Sequence, residues 1–358
     1  MEQAAPKSPG RGFKPLDILK APLWIAGIAG SDKNFADNRI LGSEALNRRG
    51  LHVGRIKLAA QMAKSRRQRL ARELDPADVA SFERDGILIK KDLLPPDAFE
   101  RLKSEIFGGS FEAQEQRQGQ GQAVERRIPL GSETLATHPE LAAFVANPTV
   151  VGAIRYAAGR GGRPIFYIQT IISDPVRAGA DPQTAFHADT FHSTTKAWYF
   201  LHEVKEDEGP FQYVPGSHIA TPARLEWEYE QSLGAAHHAN RHHAVGSFRI
   251  TPDEIQKLGY PPPIRVAVPA NTLVVADTFG FHARSPSDKK TVRIGIHAYM
   301  RRNPFLPWNG LDFMNLPGIR GHELELYQKV QTGLRKMTGK GPVWRPVGQQ
   351  RVDAPAQV

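Results

Sequence analysis

The sequence predicts a mainly β fold, a sandwich or jelly roll of short antiparallel strands with flanking helices. From Pro164 onward, apolar residues recur mostly at every second position in short segments, and turn residues separate these segments. Before that point the apolar spacing is largely helical. With 358 residues, 40% of them hydrophobic, the chain can bury a full core. This length suits one large domain with extensions.

The segments before Pro164 are predicted in order. Residues 1–15 are rich in Pro, Gly and Lys and are expected to be disordered. Residues 43–73 form one or two helices, broken or bent near Gly50 and Gly54. Residues 86–91 have the pattern of a strand. Pro95-Pro96-Asp97 then begins a helix that ends near Gly108.

Seven strands follow, and their expected bounds are 165–172, 185–190, 196–203, 210–214, 264–268, 273–277 and 291–300. Residues 219–263 are less regular and are predicted to form a lid or insert. Leu326, Val330 and Leu334, spaced by four, predict a closing helix. We therefore expect a basic N-terminal arm at 1–74, a β domain at 75–303 and a C-terminal extension at 304–358.

The composition limits the possible chemistry. The chain has no cysteine, which excludes disulfides, thiolate nucleophiles and cysteine-based zinc sites, so a metal must be held by His and carboxylate. The apolar run at 21–30 contains Pro22 and is half the length that crosses a bilayer. It lacks a convincing signal cleavage site. We expect a cytoplasmic protein.

Positive charge is concentrated in the arm. The net charge is +10, and residues 1–74 hold 15 Lys and Arg against 6 Asp and Glu. A basic arm beside a nearly neutral domain favours an anionic partner, either a membrane surface or a nucleic acid. The alternative is a solvated basic helix. Peripheral contact with an anionic membrane through residues 20–72 is the partner that we expect for the arm, and nucleic acid is disfavoured because the β domain lacks a basic, aromatic-rich stripe.

Candidate metal ligands lie in and after the predicted strands. In His187-Ala188-Asp189, residues two apart on a strand project from one face and can contact one ion together. Such a triplet is weak evidence alone, because it is common by chance. Downstream, His282 follows the strand at 273–277 and Arg293 comes eleven residues later. His187, Asp189 and His282 are therefore the predicted metal ligands.

Arg293 indicates an anionic cosubstrate. In the strand at 291–300, Val292, Ile294 and Ile296 form an apolar face, and Arg293, Gly295 and His297 form the opposite, inward face. An inward arginine needs a partner, because an unpaired buried charge is too costly. Two imidazoles and one carboxylate on one face of iron(II) leave room for a bidentate 2-oxo acid and O2. The arginine would then bind the far carboxylate of 2-oxoglutarate.

Together these motifs resemble the phytanoyl-CoA dioxygenase family over Phe82 to about Arg301. The motifs are Phe82-x-x-Asp85-Gly86 before an apolar strand, the HxD triplet, Val214-Pro215-Gly216-Ser217-His218, and His282 with Arg293 behind it. The resemblance implies a double-stranded β-helix and an iron(II)- and 2-oxoglutarate-dependent oxygenase. It also implies that Trp198 lines the 2-oxoglutarate pocket.

Other positions are further candidate contacts. Gln169 and Thr170 are neighbours on the strand before the HxD, so one of them must face inward toward the cosubstrate or substrate. Thr184 is a further candidate. Family members often carry a small hydroxyl residue where this chain has Arg284, which puts that cosubstrate contact in doubt. Because Asp189 is present, unlike in related halogenases, the resemblance implies hydroxylation or desaturation.

Four histidines in the insert have a spacing that could also bind zinc on a helix, but a partly exposed lid is the preferred interpretation. They are His237, His238, His242 and His243. The leading functional hypothesis is an oxygenase acting on a small-molecule or amphiphilic substrate. The alternatives are a catalytically silent jelly roll with a structural metal and a nucleic-acid-modifying oxygenase. The sequence leaves the substrate and the oligomeric state open.

Overall fold

The strands of this computed structural model form two antiparallel sheets, one of eight strands and one of three. The structure describes residues 15–118, 123–173, 183–287, 289–307 and 343–358, and a few residues between 319 and 333. The strands are β1 Ile87–Lys90, β2 Phe111–Gln118, β3 Ala123–Pro129, β4 Ile165–Ser173, β5 Thr195–Phe200, β6 Phe211–Tyr213, β7 Ile264–Val266, β8 Thr272–Asp277, β9 His282–Arg284, β10 Thr291–Met300 and β11 Arg345–Gln350. The disorder expected for residues 1–15 falls almost wholly outside the described residues.

Helices flank the sheets on one side and fill the insert. They are α1 Pro15–Ile28, α2 Glu44–Arg48, α3 Leu51–Leu70, α4 Pro76–Asp85, α5 Pro96–Gly108, α6 Ser132–Thr137, α7 Pro139–Ala146, α8 Pro148–Ala158, α9 Pro222–Gly234, α10 Arg241–Ala244 and α11 Pro252–Lys257, with short 3-10 turns at Ala71–Glu73 and Ala235–His237. The prediction of antiparallel strands with flanking helices is confirmed, and the helix that begins at Pro96 has the predicted bounds.

The large sheet has the order β1-β8-β5-β10-β4-β3-β2-β11, and β10 lies between β5 and β4. Its two faces have different roles. Ile294 and Ile296 are buried in the main core, beside residues of α5, α7 and α8. Arg293 and His297 project from the opposite face and line a cavity. The predicted alternation along β10 is therefore confirmed, except that Val292 is 50% exposed near the strand end.

The small sheet has the order β7-β6-β9 and covers the cavity face of the large sheet. Tyr213 and Val266 pack with Val274 and Ala276 of β8 in one buried apolar cluster. Burying both apolar faces against each other drives the two sheets together. The predicted strand at 185–190 is wrong as a regular strand, since only His187 forms bridges, one to β9 and one to Arg249.

The basic helix α3 packs on the domain along one side. Gly50, at φ 87°, separates it from α2, whereas Gly54 lies inside the helix and does not break it. Only Gly adopts such a φ readily. The buried side of α3 carries His52, Arg55, Ile56, Ala59, Ala63, Arg66 and Leu70. Its other side carries exposed Lys57, Lys64 and Arg69.

Two arginines of α3 bind the carbonyl end of α8. Arg66 Nε donates to Gly159 O at 2.6 Å, and Arg67 Nε donates to Tyr156 O at 2.9 Å. Cations are favourable at this end of a helix, where carbonyls lack intrahelical partners. Arg67 Nη2 also pairs with the buried Asp277 at 2.9 Å. These arginines stabilise the fold, so the arm is only in part a solvated basic helix.

The C-terminal segment also joins the domain. Strand β11 pairs with β2 at the edge of the large sheet. Arg126, which forms a buried ion pair with Glu115, donates to the carbonyls of Arg351, Ala354 and Pro355. The predicted closing helix lies largely outside the described residues; Leu326 and Val330 are helical and exposed, and Leu334 is not described. Within the described chain, the division at 74 and 303 stays a prediction.

Among the described residues no single helix is long and apolar enough to cross a membrane, although the bent pair α7 and α8 would be by length and composition alone.

Candidate metal centre

Two histidines lie opposite each other at the edge of the small sheet, where His187 forms a bridge to β9. His187 N donates to His282 O, and His282 N donates to His187 O, both at 3.0 Å. Residues that exchange both backbone bonds lie directly opposite in an antiparallel pair, and their side chains share one face. The imidazole centroids are 4.5 Å apart. Tertiary pairing therefore brings together two ligands that are 95 residues apart in sequence.

Backbone hydrogen bonds determine the tautomer of both rings. His187 Nδ1 lies 2.8 Å from Ala185 O, and His282 Nδ1 lies 2.9 Å from Gly280 O. A carbonyl oxygen only accepts, so each Nδ1 carries a proton and donates it. In the neutral form of either ring, Nε2 is then the acceptor, and this is the form that binds a metal ion.

Asp189 completes the cluster. Its N–H donates to Thr278 O at 2.9 Å, and its Oδ1 lies 3.7 Å from His187 Nε2 and 3.6 Å from His282 Nε2. The three ligand atoms lie within 4.8 Å of one another. His282 Nε2 is buried and has no hydrogen-bond partner among the described residues. Two imidazoles and a carboxylate fit an iron(II) ion on one face, and a bound ion would satisfy that nitrogen.

Electrostatics favour the metal-binding protonation states. The pKa of His187 lies well below its ordinary value, mainly because of burial and secondly because of His282. Burial raises the pKa of Asp189, but Lys196 and the histidines outweigh that effect and hold it well below its ordinary value. A neutral imidazole and an ionised carboxylate are what a metal requires.

Arg293 lies in a cavity that adjoins the cluster. Gln169, Trp198, Phe211 and His297 are among the residues that line it with Arg293. Arg293 Nη1 donates to Gly209 O at 2.6 Å, which orients the guanidinium. The Phe211 ring lies 4.5 Å from Trp198 and 5.6 Å from the His282 ring, centroid to centroid. Phe211 therefore contacts both the cavity that Arg293 lines and the ring of His282.

The structure places the remaining candidates away from this cavity or at its edge. Thr170 lies on the opposite face of β4 and donates to Val352 O at 2.8 Å, because alternate strand residues point to opposite faces. Thr184 is exposed. Arg284 is half-buried on β9, two residues after His282 and opposite Phe211. Of the pair on β4, only Gln169 reaches the cavity.

The insert histidines form a separate group. His238 and His243 stack with centroids 3.9 Å apart, and His243 also stacks on Phe248 at 4.5 Å. His237 and His242 are exposed. Within the described ranges, the cluster of His187, Asp189 and His282 is the one group with metal-binding geometry. The insert is mostly helical, and its residues 248–250 pair with the HxD segment through Ala188 N to Phe248 O.

Three cations near Asp189 were not predicted from the sequence. Lys196 Nζ lies 2.7 Å from Asp189 Oδ2. Lys33 Nζ donates to Asp189 O, and burial lowers the pKa of Lys33 to about 8. Arg249 lies opposite His187 in a bridge. Lys196 lies two residues before Trp198 on β5 and therefore on the same face, so the sequence could have placed Lys196 at the site. No sequence pattern places Lys33 or Arg249 there.

Comparison with known proteins gives one family match. The family model described as phytanoyl-CoA dioxygenase (PhyH) matches residues 82–247. The match includes His187 and Asp189 and ends before His282 and Arg293. No curated protein sequence matches the chain significantly.

Several solved structures are similar at low identity. The non-heme alpha ketoglutarate dependent epimerase SnoN from nogalamycin biosynthesis is 19% identical, with 68% of this chain and 91% of that chain covered and a TM-score of 0.40. HygX from Streptomyces hygroscopicus, with nickel, 2-oxoglutarate and hygromycin B bound, is 14% identical, with 69% and 95% covered and a TM-score of 0.41.

Proposed function

Residues 82–247 belong to the phytanoyl-CoA dioxygenase family, and from this premise we propose an iron(II)- and 2-oxoglutarate-dependent oxygenase that hydroxylates an aliphatic C–H bond. The proposed substrate is a small or lipid-like molecule. The observation that carries the proposal is the convergence of His187 Nε2, His282 Nε2 and Asp189 Oδ1.

In this proposal the three residues hold iron(II) on one face and leave the opposite face open. Lys196 occupies Asp189 Oδ2, so the carboxylate offers Oδ1 to the metal. The hydrogen bonds from both Nδ1 atoms to carbonyls keep the imidazoles in one orientation. In this proposal these contacts orient the three ligands before an ion binds.

Arg293 binds the distal carboxylate of 2-oxoglutarate in this proposal. A guanidinium pairs with a carboxylate through parallel N–H bonds, and these charge-assisted bonds are strong where water is excluded. Trp198 and Phe211 provide the apolar wall, and Gln169 adds an amide. The bound iron, 2-oxoglutarate and O2 supply the oxidising chemistry with release of succinate and CO2. The residues of the chain orient the cosubstrate and exclude water.

Succinate formation tests the proposal. The full-length protein with iron(II), 2-oxoglutarate and O2 should release succinate, at least through uncoupled turnover, and His187→Ala, Asp189→Ala and His282→Ala should abolish it. Thermal unfolding should show that these variants remain folded.

His237→Ala and His242→Ala are the matched controls, because both side chains are exposed and lie outside the cluster. They should retain succinate formation. If the wild-type protein bound the metal but formed no succinate, the alternative of a silent jelly roll would replace the proposal. If turnover occurred only with nucleic acid present, the nucleic-acid-modifying alternative would replace it.

We also propose a cytoplasmic location with peripheral contact to an anionic membrane through residues 20–72. Leu23 is 73% exposed and Ile25 is 59% exposed on α1. Exposed Lys57, Lys64 and Arg69 on α3 supply a basic surface. An apolar insertion combined with a basic patch can hold a protein at a bilayer where either alone cannot.

A further inference from the structure

Arg249 projects beside the metal cluster. His187 and Arg249 lie directly opposite each other in an antiparallel bridge. The flanking bonds run from Ala188 N to Phe248 O and from Ile250 N to Phe186 O, so this is a pair without mutual backbone bonds. In such pairs the Cα atoms are about 4.5 Å apart and the side chains share one face. The Arg249 side chain therefore starts next to the His187 imidazole.

The guanidinium of Arg249 makes few hydrogen bonds within the described residues. Its Nη1 donates to Ser247 Oγ at 3.0 Å, and its Nε is buried with no hydrogen-bond partner among the described residues. No ion pair to Arg249 occurs in the described part of the chain, where salt bridges join other residues. A guanidinium offers five N–H donors. Most of its donor capacity is therefore available to a bound molecule.

Lys33 approaches the same place from the N-terminal segment. It is half-buried, and its one hydrogen bond within the described ranges goes to the carbonyl of Asp189. An ammonium has three donors. Arg249 bonds to Ser247 Oγ, and that hydroxyl donates to Ala188 O, the carbonyl next to the one that Lys33 binds. The carboxylate that acts on both is Asp189.

The loaded site would still have an excess of positive charge. Iron(II) and Arg293 together balance Asp189 and the dianion of 2-oxoglutarate. Lys196 pairs with Asp189 Oδ2, which already faces the metal through Oδ1. The charges of Lys33 and Arg249 then remain beside the metal without an anion. Because half-buried charges without counterions are unfavourable, an anionic group is the ligand that this arrangement fits.

We propose that the substrate carries an oxyanion, a carboxylate or a phosphate ester, that binds between Arg249 and Lys33 beside the metal. The proposal rests on the proposed function for the reaction, and it adds the substrate class. Anchoring the charged group at this place would hold a neighbouring C–H bond near the iron. Arg249 and Lys33 are specificity-determining residues in this arrangement.

Inorganic phosphate and acetate serve as probes for the two anion types. Each is titrated calorimetrically into the full-length protein, once free of metal and once with Ni(II) and saturating 2-oxoglutarate. Wild-type protein should bind at least one of them in both states, and the stronger binder identifies the oxyanion type. Arg249→Gln and Lys33→Gln should each weaken that binding by about tenfold or more, which equals about 1.4 kcal/mol.

The controls separate charge from folding. Lys64→Gln removes an exposed cation on α3 and should leave anion binding unchanged. Arg249→Lys and Lys33→Arg keep the charge and should restore much of the binding. Thermal unfolding of every variant reports folding, so a misfolded Gln variant leaves the charge-conserving pair to decide.

Two results distinguish this proposal from the proposed function. Equal anion affinity in wild type, Arg249→Gln and Lys33→Gln would overturn it, even if Ni(II) and 2-oxoglutarate bind normally. Failure of wild type to bind Ni(II) or 2-oxoglutarate would instead contradict the proposed function. The metal-free titration would then still decide whether Arg249 and Lys33 bind an oxyanion.

Discussion

Lys196 holds one oxygen of Asp189 while the other faces two imidazoles. The Nζ lies 2.7 Å from Oδ2, and Oδ1 lies 3.6 Å from His282 Nε2. Lys196 comes from β5 of the large sheet and His282 from β9 of the small sheet. Asp189 is therefore positioned by both sheets, and its charge state depends on a residue that is not itself a candidate ligand.

This contact makes the pH range of metal binding testable. Lys196 lowers the pKa of Asp189, so replacing it by Gln should raise that pKa. A proton would then compete with the metal at higher pH. The pH at which Ni(II) binding is half lost, measured calorimetrically, should move upward in Lys196→Gln. Lys64→Gln is the control. An unchanged midpoint would mean that Lys196 does not tune the carboxylate.

Arg293→Ala should weaken 2-oxoglutarate binding far more than metal binding. Truncating one partner of a desolvated charge pair costs about 2 to 5 kcal/mol, which corresponds to a roughly 30-fold to several thousandfold loss of affinity. Calorimetry with Ni(II)-loaded protein measures both constants. Arg265→Ala removes a side chain that is 54% exposed on β7 and should change neither. An unaltered 2-oxoglutarate constant in Arg293→Ala would contradict the assignment.

Buried neutral histidines should make the metal-free protein acid-sensitive. Burial, followed by Arg67 and Arg224, lowers the pKa of His218 to about 3, and burial followed by Arg301 lowers that of His192 to about 3. The unfolded chain binds these protons near pH 6.5 and the folded chain does not. The free energy of unfolding should therefore fall as pH drops below about 6.5, by up to about 1.4 kcal/mol per pH unit for each such histidine.

Urea unfolding at several pH values between 7 and 4, with a chelator present, measures this effect. His218→Gln should reduce the slope because one titrating group is gone, whatever its effect on stability at pH 7. His237→Gln changes an exposed ring and should keep the wild-type slope. Equal wild-type stability at pH 7 and pH 5 would refute the linkage.

Replacing a buried and an exposed arginine of α3 should change the free energy of unfolding by different amounts. Arg66 is 4% exposed and donates to the carbonyls of Gly159, Pro304 and Leu306. Arg66→Ala leaves buried carbonyls without partners and should lower the free energy of unfolding by about 3 kcal/mol. Arg69→Ala, on the exposed side of the same helix, should change it by less than about 0.5 kcal/mol. Chemical denaturation compares the two, and equal losses would show that burial on α3 has no energetic role.

Membrane contact is tested with point variants, because deleting α3 would remove Arg66 and Arg67 from the fold. The full-length protein should cosediment with anionic vesicles, less so as salt is added, and poorly with neutral vesicles. Leu23→Ser with Ile25→Ser, or Lys57→Gln with Lys64→Gln, should weaken that binding. If vesicle binding does not change with added salt or with either pair of substitutions, this surface is not the membrane contact.

The periodic parts of the chain were predictable from sequence. Alternation along β10 identified which residues face the main core and which face the cavity, because the two-residue period of a strand is a local property. The absence of cysteine restricted a metal site to His and carboxylate. The triplet at 187–189, followed by His282 and Arg293, then suggested the candidate site, because a strand brings residues two apart to one face.

Only the tertiary structure decided what surrounds that site. His187 lies in an irregular segment whose pairing with β9 and with Arg249 depends on contacts between distant parts of the chain. Lys33 reaches Asp189 from 156 residues away, and Arg66 and Arg67 become structural through the carbonyl end of α8. Local patterns carry no information about such pairings, because they depend on which surfaces meet when the sheets and helices pack. The charge around the candidate metal centre is therefore a property of the fold.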